Sequence, residues 1–491
     1  MKRFEPKSVS RWFPRLAWAW PKGARHQLIT AAICPDEDRA FAAIQQWLHD
    51  TDLDDATFAE HRLLAAITTR FDQRLKPHAE YARLCGLQRL NWTKSRMAVG
   101  ASKPALEHLV NAGLRVVLLK GACRVALDLA EQKSRTSYDL DLLVNPNDFS
   151  QGFEILAKDG WNSARGESVL GLRARLSSIR ARNFKKGRFG DIDLHKTAYH
   201  TANSHAALDD ALFQEAQPAE FYGLNVFIPS PEERIAMAIG HGGWDGHSHS
   251  DWLVDVAGIL EKESIDWDKF TIIINGRNLK HQTAIALSYL ANDIGLDIPT
   301  PMLDAVCRWR VASAPSRVAV MFLAKEHSSM TLAQKAVRSV FHTFHRARYS
   351  GRDKDKDTSA FRAFTKRANA SDKGAYVFKQ TVPAKDTTQA GIYAFKISIE
   401  IPAQKRRRRI EFELNGAQRN ICHLQALHLR KSDVPISARF HGKIQINPND
   451  WPLSLEALPG KFMFDEPTPA DREKYGELPF KINSVILRRE D

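Results

Sequence analysis

The sequence predicts an α+β multidomain chain: a mixed sheet with flanking helices, helical regions before and after it, and a C-terminal all-β, sandwich-like module. Three observations predict it. Apolar residues recur at helical spacing over residues 25–110 and again over 230–347. Between these regions lie three apolar or alternating runs, Leu114–Leu119, Tyr138–Val144 and Gly190–His195, separated by helix-like stretches. Beyond residue 376 the apolar period becomes two. A chain of 491 residues has room for two to four such domains.

The N-terminal helical region, 1–110, carries Leu28, Ala31, Ala32, Phe41, Ile44, Trp47 and Leu48 at helical spacing, continued by Leu63, Leu64, Ile67 and Phe71. Asp36 and Asp38 are cap candidates for its second helix. The texture changes at Gly113, where the α/β core, 111–229, begins. Its first strand ends in Lys120-Gly121, and its second, Tyr138–Val144, is stopped by Pro146. A helix from Phe149 to Asp159 ends at Gly160-Trp161. The third strand is Gly190–His195. A helical domain, 230–350, opens with Ser230 as cap and Pro231 in the first turn, and further helices are expected at 251–263, 280–294 and 302–326. The charge-dense stretch 351–375, with Arg352-Asp353-Lys354-Asp355-Lys356-Asp357, reads as a linker. The β module, 376–491, alternates over Ile392–Ile401, Ile410–Leu414, Phe440–Ile446 and Phe480–Leu487.

Composition narrows the function classes. Lys and Arg number 71 against 57 Asp and Glu, a formal charge of +14, which favours anionic partners such as nucleotides or nucleic acid. Five cysteines exclude a disulfide scaffold, and none are spaced as a zinc knuckle. Charges interrupt every apolar stretch well before membrane-spanning length, and Phe13–Pro21 is too broken for a signal peptide. The expected setting is a bacterial cytoplasm with reduced thiols.

The residues that carry chemistry are Asp139-Leu140-Asp141 and Asp193. Residues i and i+2 of a strand share a face, so Asp139 and Asp141 stand side by side. Two such anions repel unless a divalent cation sits between them, and carboxylate oxygens suit Mg²⁺ or Mn²⁺. Asp193 on a neighbouring strand completes a two-metal site of three carboxylates, with Asp191, two residues earlier on the same face, as the alternative. The strand-to-helix turn Lys120-Gly121 offers backbone N–H groups and a point charge to a polyphosphate. Arg135 adds a cation just before the carboxylate strand, and His195 shares a face with Asp193, as a nucleotide or acceptor contact or as a hydrogen-bonded core histidine.

Other clusters read more plainly. His241, His247 and His249 with Asp245 and Asp251 fall around Gly242, Gly243 and Gly246, and read as a polar loop at a helix end. Trp244 and Trp252 read as core residues, and Lys405–Arg409 as a solvated hairpin loop.

Gly121, then Asp139-Leu140-Asp141, then Asp193 resembles the DNA polymerase beta nucleotidyltransferase superfamily. More closely, Leu119-Lys120-Gly121-Ala122, Arg135, Asp139–Val144 and Asp193-Leu194-His195, followed by His241-Gly242 and Trp252-Leu253-Val254-Asp255, are similar to an uncharacterised bacterial nucleotidyltransferase-like family over roughly residues 25–345. The resemblance implies a nucleotidyltransferase fold binding NTP and Mg²⁺. Asp139 and Asp141 would hold metal; Asp193 would hold the catalytic metal and help deprotonate an acceptor hydroxyl; Lys120 and Gly121 would receive the triphosphate. Ala122 stands where the superfamily has serine, and the span from Gly121 to Asp139 is longer than usual in it. The reaction expected is transfer of a nucleoside monophosphate to a hydroxyl of a small molecule, sugar, protein or RNA, with release of pyrophosphate. The alternatives are a catalytically degenerate scaffold whose β module binds a glycan or protein partner, and an RNA-directed transferase.

Overall fold

The apolar stripes become helices that bury them: Leu28, Ile29, Ile44, Trp47, Leu63 and Ile67 are all inside. In the computed structural model the described residues are 15–135, 137–164, 172, 176, 179–200, 203–242, 250–308, 313–350, 362–367, 379–382, 390–404, 408–417, 420–429, 432–459 and 480–489. The chain divides into two units, residues 1–148 with 189–352 and residues 149–188 with 353–491.

The first unit opens with α1 (Gly23–Ile33), α2 (Glu37–Asp50), α3 (Phe58–Arg70) and the long α4 (Tyr81–Asn111). Asp36 caps α2 by accepting from the Arg39 N–H at 3.0 Å, as its position predicts. Thr57 and Glu60 form a capping box on α3. The sheet then begins with β1 (Val117–Leu118), followed by α5 (Lys120–Leu127), β2 (Leu140–Leu143), β3 (Gly190–His195), α6 (Ala206–Gln214) and the hairpin β4 (Gln217–Phe221) and β5 (Leu224–Ile228). Its strands lie in the order β3–β2–β1–β5–β4. β2 runs parallel to β3 and antiparallel to β1, and β1 runs parallel to β5, so the sheet is mixed as expected.

Helices follow: α7 (Pro231–Gly242), α8 (Asp251–Lys262), α9 (Trp267–Gly276), α10 (Lys280–Tyr289), α11 (Thr300–Cys307), α12 (Ala314–Ala324) and α13 (Leu332–Ser350). The single helix expected over 302–326 is two, with Pro315 in the first turn of the second. One buried apolar cluster joins α1–α4 to Val117, Leu119 and Leu143 of the sheet region and to α7–α12. No helix among the described residues is long and apolar enough to cross a membrane.

The second unit includes the helix Phe149–Lys158, which packs Phe153 against Phe184 of the strand Ala181–Lys186. Its β module has β6 (Arg362–Arg367), β7 (Lys379–Val382), β8 (Gly391–Ile401), β9 (Arg408–Asn415), β10 (Asn420–Leu429), β11 (Ile436–Ile446), β12 (Leu453–Pro459) and β13 (Lys481–Arg489). They form two four-stranded antiparallel sheets, β13–β8–β11–β6 and β10–β9–β12–β7. One apolar cluster draws on both, with Phe412 and Phe440 rings 5.3 Å apart. β6 falls within the stretch read as a linker, because alternation of Arg362, Phe364 and Lys366 with smaller residues is hidden by its charge. Lys405–Arg407 lie outside the described residues, while Arg408 and Arg409 open β9.

Candidate active site

The parallel β2–β3 ladder places Asp141 directly opposite Asp193. Leu140 and Leu142, with Ile192 and Leu194, are buried in the same strands, so the sheet fixes the carboxylates between apolar layers. Leu119 donates its N–H to the Asp141 carbonyl at 3.0 Å, which brings the end of β1 beside Asp141. Lys120 then takes a left-handed backbone conformation, φ +50, and turns the chain into α5. Its Nζ lies 2.5 Å from Asp141 Oδ1.

His195 completes the cluster. Its Nε2 is 3.1 Å from Asp141 Oδ1 and 3.1 Å from Asp193 Oδ2, and its Nδ1 is buried without a hydrogen-bond partner among the described residues. Ligating atoms of Asp141, Asp193 and His195 lie within 4.8 Å of one another. Burial opposes the ionised form of Asp141, but Lys120 and His195 outweigh it and hold the carboxyl far below the usual range. Burial likewise opposes ionisation of Asp193, and the His195 hydrogen bond lowers it overall. Burial alone would lower His195; its two carboxylate partners raise it. At Asp139 burial, then the Asp141 charge, outweigh the Lys120 charge and push its carboxyl up to about 6.

Two serines of α4 hold the entries of both carboxylate strands. Ser95 Oγ donates to the Ser137 carbonyl at 2.8 Å and accepts from the Ser137 N–H at 3.2 Å. Ser102 Oγ does the same with Asp191, at 3.3 and 3.1 Å. Ser137 and Asp191 each stand two residues before a carboxylate, Asp139 and Asp193. Tyr138 is tied to the same helix through Asn91 at 2.9 Å. Nothing in the sequence pattern of α4 marked these residues as more than small buried positions.

A cavity of about 640 Å³ opens beside this cluster, lined by Lys120, Gly121, Asp139 and Asp141 at one part of its wall. Gly121 is required there, since a Cβ would lie 3.0 Å from Ser137 Oγ. Arg135 also lines it, but the structure does not bring it to the carboxylate cluster as a loose cation. It is buried, with Nη1 2.6 Å from Asp251 and Nε 2.9 Å from Asp255. Arg124 shares Asp255 at 2.9 Å and Arg62 shares Asp251 at 2.5 Å. Asp251 and Asp255 thus anchor Arg62, Arg124 and Arg135 at the cavity wall, a role that needs three-dimensional contact to see. Gly242 packs on Trp252, where a Cβ would meet the indole at 2.2 Å. Trp244, Asp245, His247 and His249 lie outside the described residues. Asp191 does not join the metal-ligand group.

Residues 55–292 match the family described as uncharacterised nucleotidyltransferase. The match covers just under half of the chain. The matched segment holds α3–α10, the carboxylate strands and every residue that lines the cavity. Neither a curated protein nor a solved structure matches the chain. Within the matched region, an acidic pair on adjacent strands, an imidazole and a lysine therefore meet beside the cavity.

Proposed function

We propose that the chain is an Mg²⁺-dependent nucleotidyltransferase that moves a nucleoside monophosphate from an NTP to an acceptor hydroxyl and releases pyrophosphate. The observation that carries this reading is the Asp141–Asp193 pair, set in register across β2 and β3 with His195 between them. The donor set fits a divalent ion: the carboxylates of Asp141 and Asp193, with a third, Asp139, next to them. An ion held there by Asp139, Asp141 and Asp193 supplies charge neutralisation to phosphate oxygens and acidity to the acceptor hydroxyl.

The chain's own residues do the rest. Lys120 and the first backbone N–H groups of α5 face the phosphates. Asp193 takes the acceptor proton on a carboxylate oxygen, and His195 orients that carboxylate through its 3.1 Å hydrogen bond. The Arg135–Asp251–Asp255 network keeps the cavity wall rigid without spending a charge on the ligand. Incubation with radiolabelled NTPs, Mg²⁺ and cell extract as acceptor source tests this: label should move to an acceptor, and Asp139→Ala should abolish the transfer. NTP binding indifferent to metal would refute it.

One observation favours a second reading, a degenerate scaffold. Lys120 and His195 already neutralise Asp141, and Ala122 removes the superfamily's hydroxyl. On that reading Asp141→Asn leaves the cellular phenotype intact, and the sandwich-like β module carries the partner.

A further inference from the structure

The cavity changes character along α5. Lys120, Arg124 and Leu127 fall on one face of that helix, four and three residues apart, so the cavity follows the helix for about 10 Å. At its first turn the neighbours are Asp139 and Asp141. Towards its last turn the wall is Cys123, Leu127, Met237, Ala238, Gly258 and Ile259, from three helices. The Cys123 thiol is neutral, because burial pushes it up to about 12. Arg234 and Glu263, paired at 2.8 Å, bound this part with Lys262. Gly258 faces open space: the nearest atom to a Cβ built there is Arg124 Nη2 at 4.0 Å.

A ligand that fits must therefore be ionic at one end and flat and apolar at the other, with a polar edge. We infer that the part of the cavity between α5, α7 and α8 seats the nucleobase of the NTP, with the Arg234–Glu263 pair and Lys262 facing the ring edge. The inference rests on the NTP reading above and adds where the base lies and which groups discriminate it. An aromatic ring inserted among these side chains gains burial, and a carboxylate beside cations can tell an exocyclic amino group from a carbonyl.

The test compares two ligands on the full chain with Mg²⁺ by titration calorimetry: α,β-methylene analogues of the four NTPs, and inorganic tripolyphosphate. Wild type should bind at least one nucleotide analogue more tightly than tripolyphosphate. Gly258→Val, which fills the open space, should weaken that analogue by about tenfold or more and leave tripolyphosphate within about twofold, a difference near 1.4 kcal/mol. Met237→Ala, which removes wall instead of adding volume, should act the same way to a smaller extent and guards against a folding defect in the first variant. Equal losses for both ligands, or no loss for the nucleotide, overturn the base seat while leaving NTP binding intact. Failure of the wild type to bind either ligand overturns the NTP reading, and the seat with it.

Discussion

Asp141 and Asp193 face each other across a parallel strand pair, and one imidazole nitrogen of His195 lies 3.1 Å from an oxygen of each. A buried carboxylate and a half-buried one at this separation are stable because Lys120 and His195 supply the opposing charge. Removing Asp141 takes away the hydrogen-bond partner of Lys120 and one of the two carboxylate partners of His195, and a donor from the ion site. Asp141→Asn is expected to lower transfer by roughly a thousandfold, several kcal/mol of lost stabilisation, and to weaken Mn²⁺ binding measured by electron paramagnetic resonance. Near-normal turnover in this variant would show that chemistry occurs elsewhere.

Lys120 combines a positive φ with a cation aimed at Asp141. Both Lys120→Ala and Lys120→Gly lose the ammonium, but only glycine relaxes the left-handed backbone. Lys120→Gly should therefore be more stable than Lys120→Ala by about 1 kcal/mol in urea melts. The reverse order would mean that the turn is not fixed in this conformation.

Gly242 has no room for a side chain, its Cβ position being 2.2 Å from the Trp252 ring. Gly242→Ala should cost about 1–3 kcal/mol through overpacking, and Trp252→Leu in the same chain should recover part of the loss. Additive losses in the double variant would argue against the contact.

Ser102 joins the Asp191 backbone through both its donor and its acceptor. Ser102→Ala removes both hydrogen bonds to the Asp191 backbone, so a loss of about 1–3 kcal/mol is expected in thermal or urea melts. No change in stability would mean that water replaces the hydroxyl without cost.

Glu413 on β9 pairs across the ladder with Glu456 on β12 and is 1% exposed. Burial, then the Glu456 charge, push its carboxyl up to about 7, from an ordinary 4.5. Between these values the folded chain holds a proton that the unfolded chain releases. The protonated carboxyl's contribution is fully present below about pH 4.5 and is lost as pH rises through 7. Glu413→Gln should flatten that fall, raising the melting temperature more at pH 8 than at pH 5. An equal shift at both values would remove Glu413 as its source.

The strand ends that bear the carboxylates were legible because their alternation is local: Asp139 and Asp141 sit two apart, and Leu142–Val144 continue inward. The Lys120-Gly121 turn was legible for the same reason. His195 was legible as a candidate but not as a bridge, since only the β2–β3 register places it between two acids. The partners of Arg135 lie more than a hundred residues away on α8, and no periodicity announces them. Arg62 and the α4 serines come from a region that reads as plain helix, and their role arises from packing against strands. The hairpin of β4 and β5 was missed because Gln217–Phe221 is short, mostly exposed and carries Pro218.

Ser95 and Ser102 lie seven residues apart, so two helical turns set the spacing at which α4 grips the two strands, about 10 Å along its axis. The helix is in effect a ruler whose two graduations fix where the acids stand. Adding one residue between them would swing one hydroxyl by about 100° and release one strand while the other stayed gripped. Length in this stretch of α4 is therefore constrained even where side-chain identity is not.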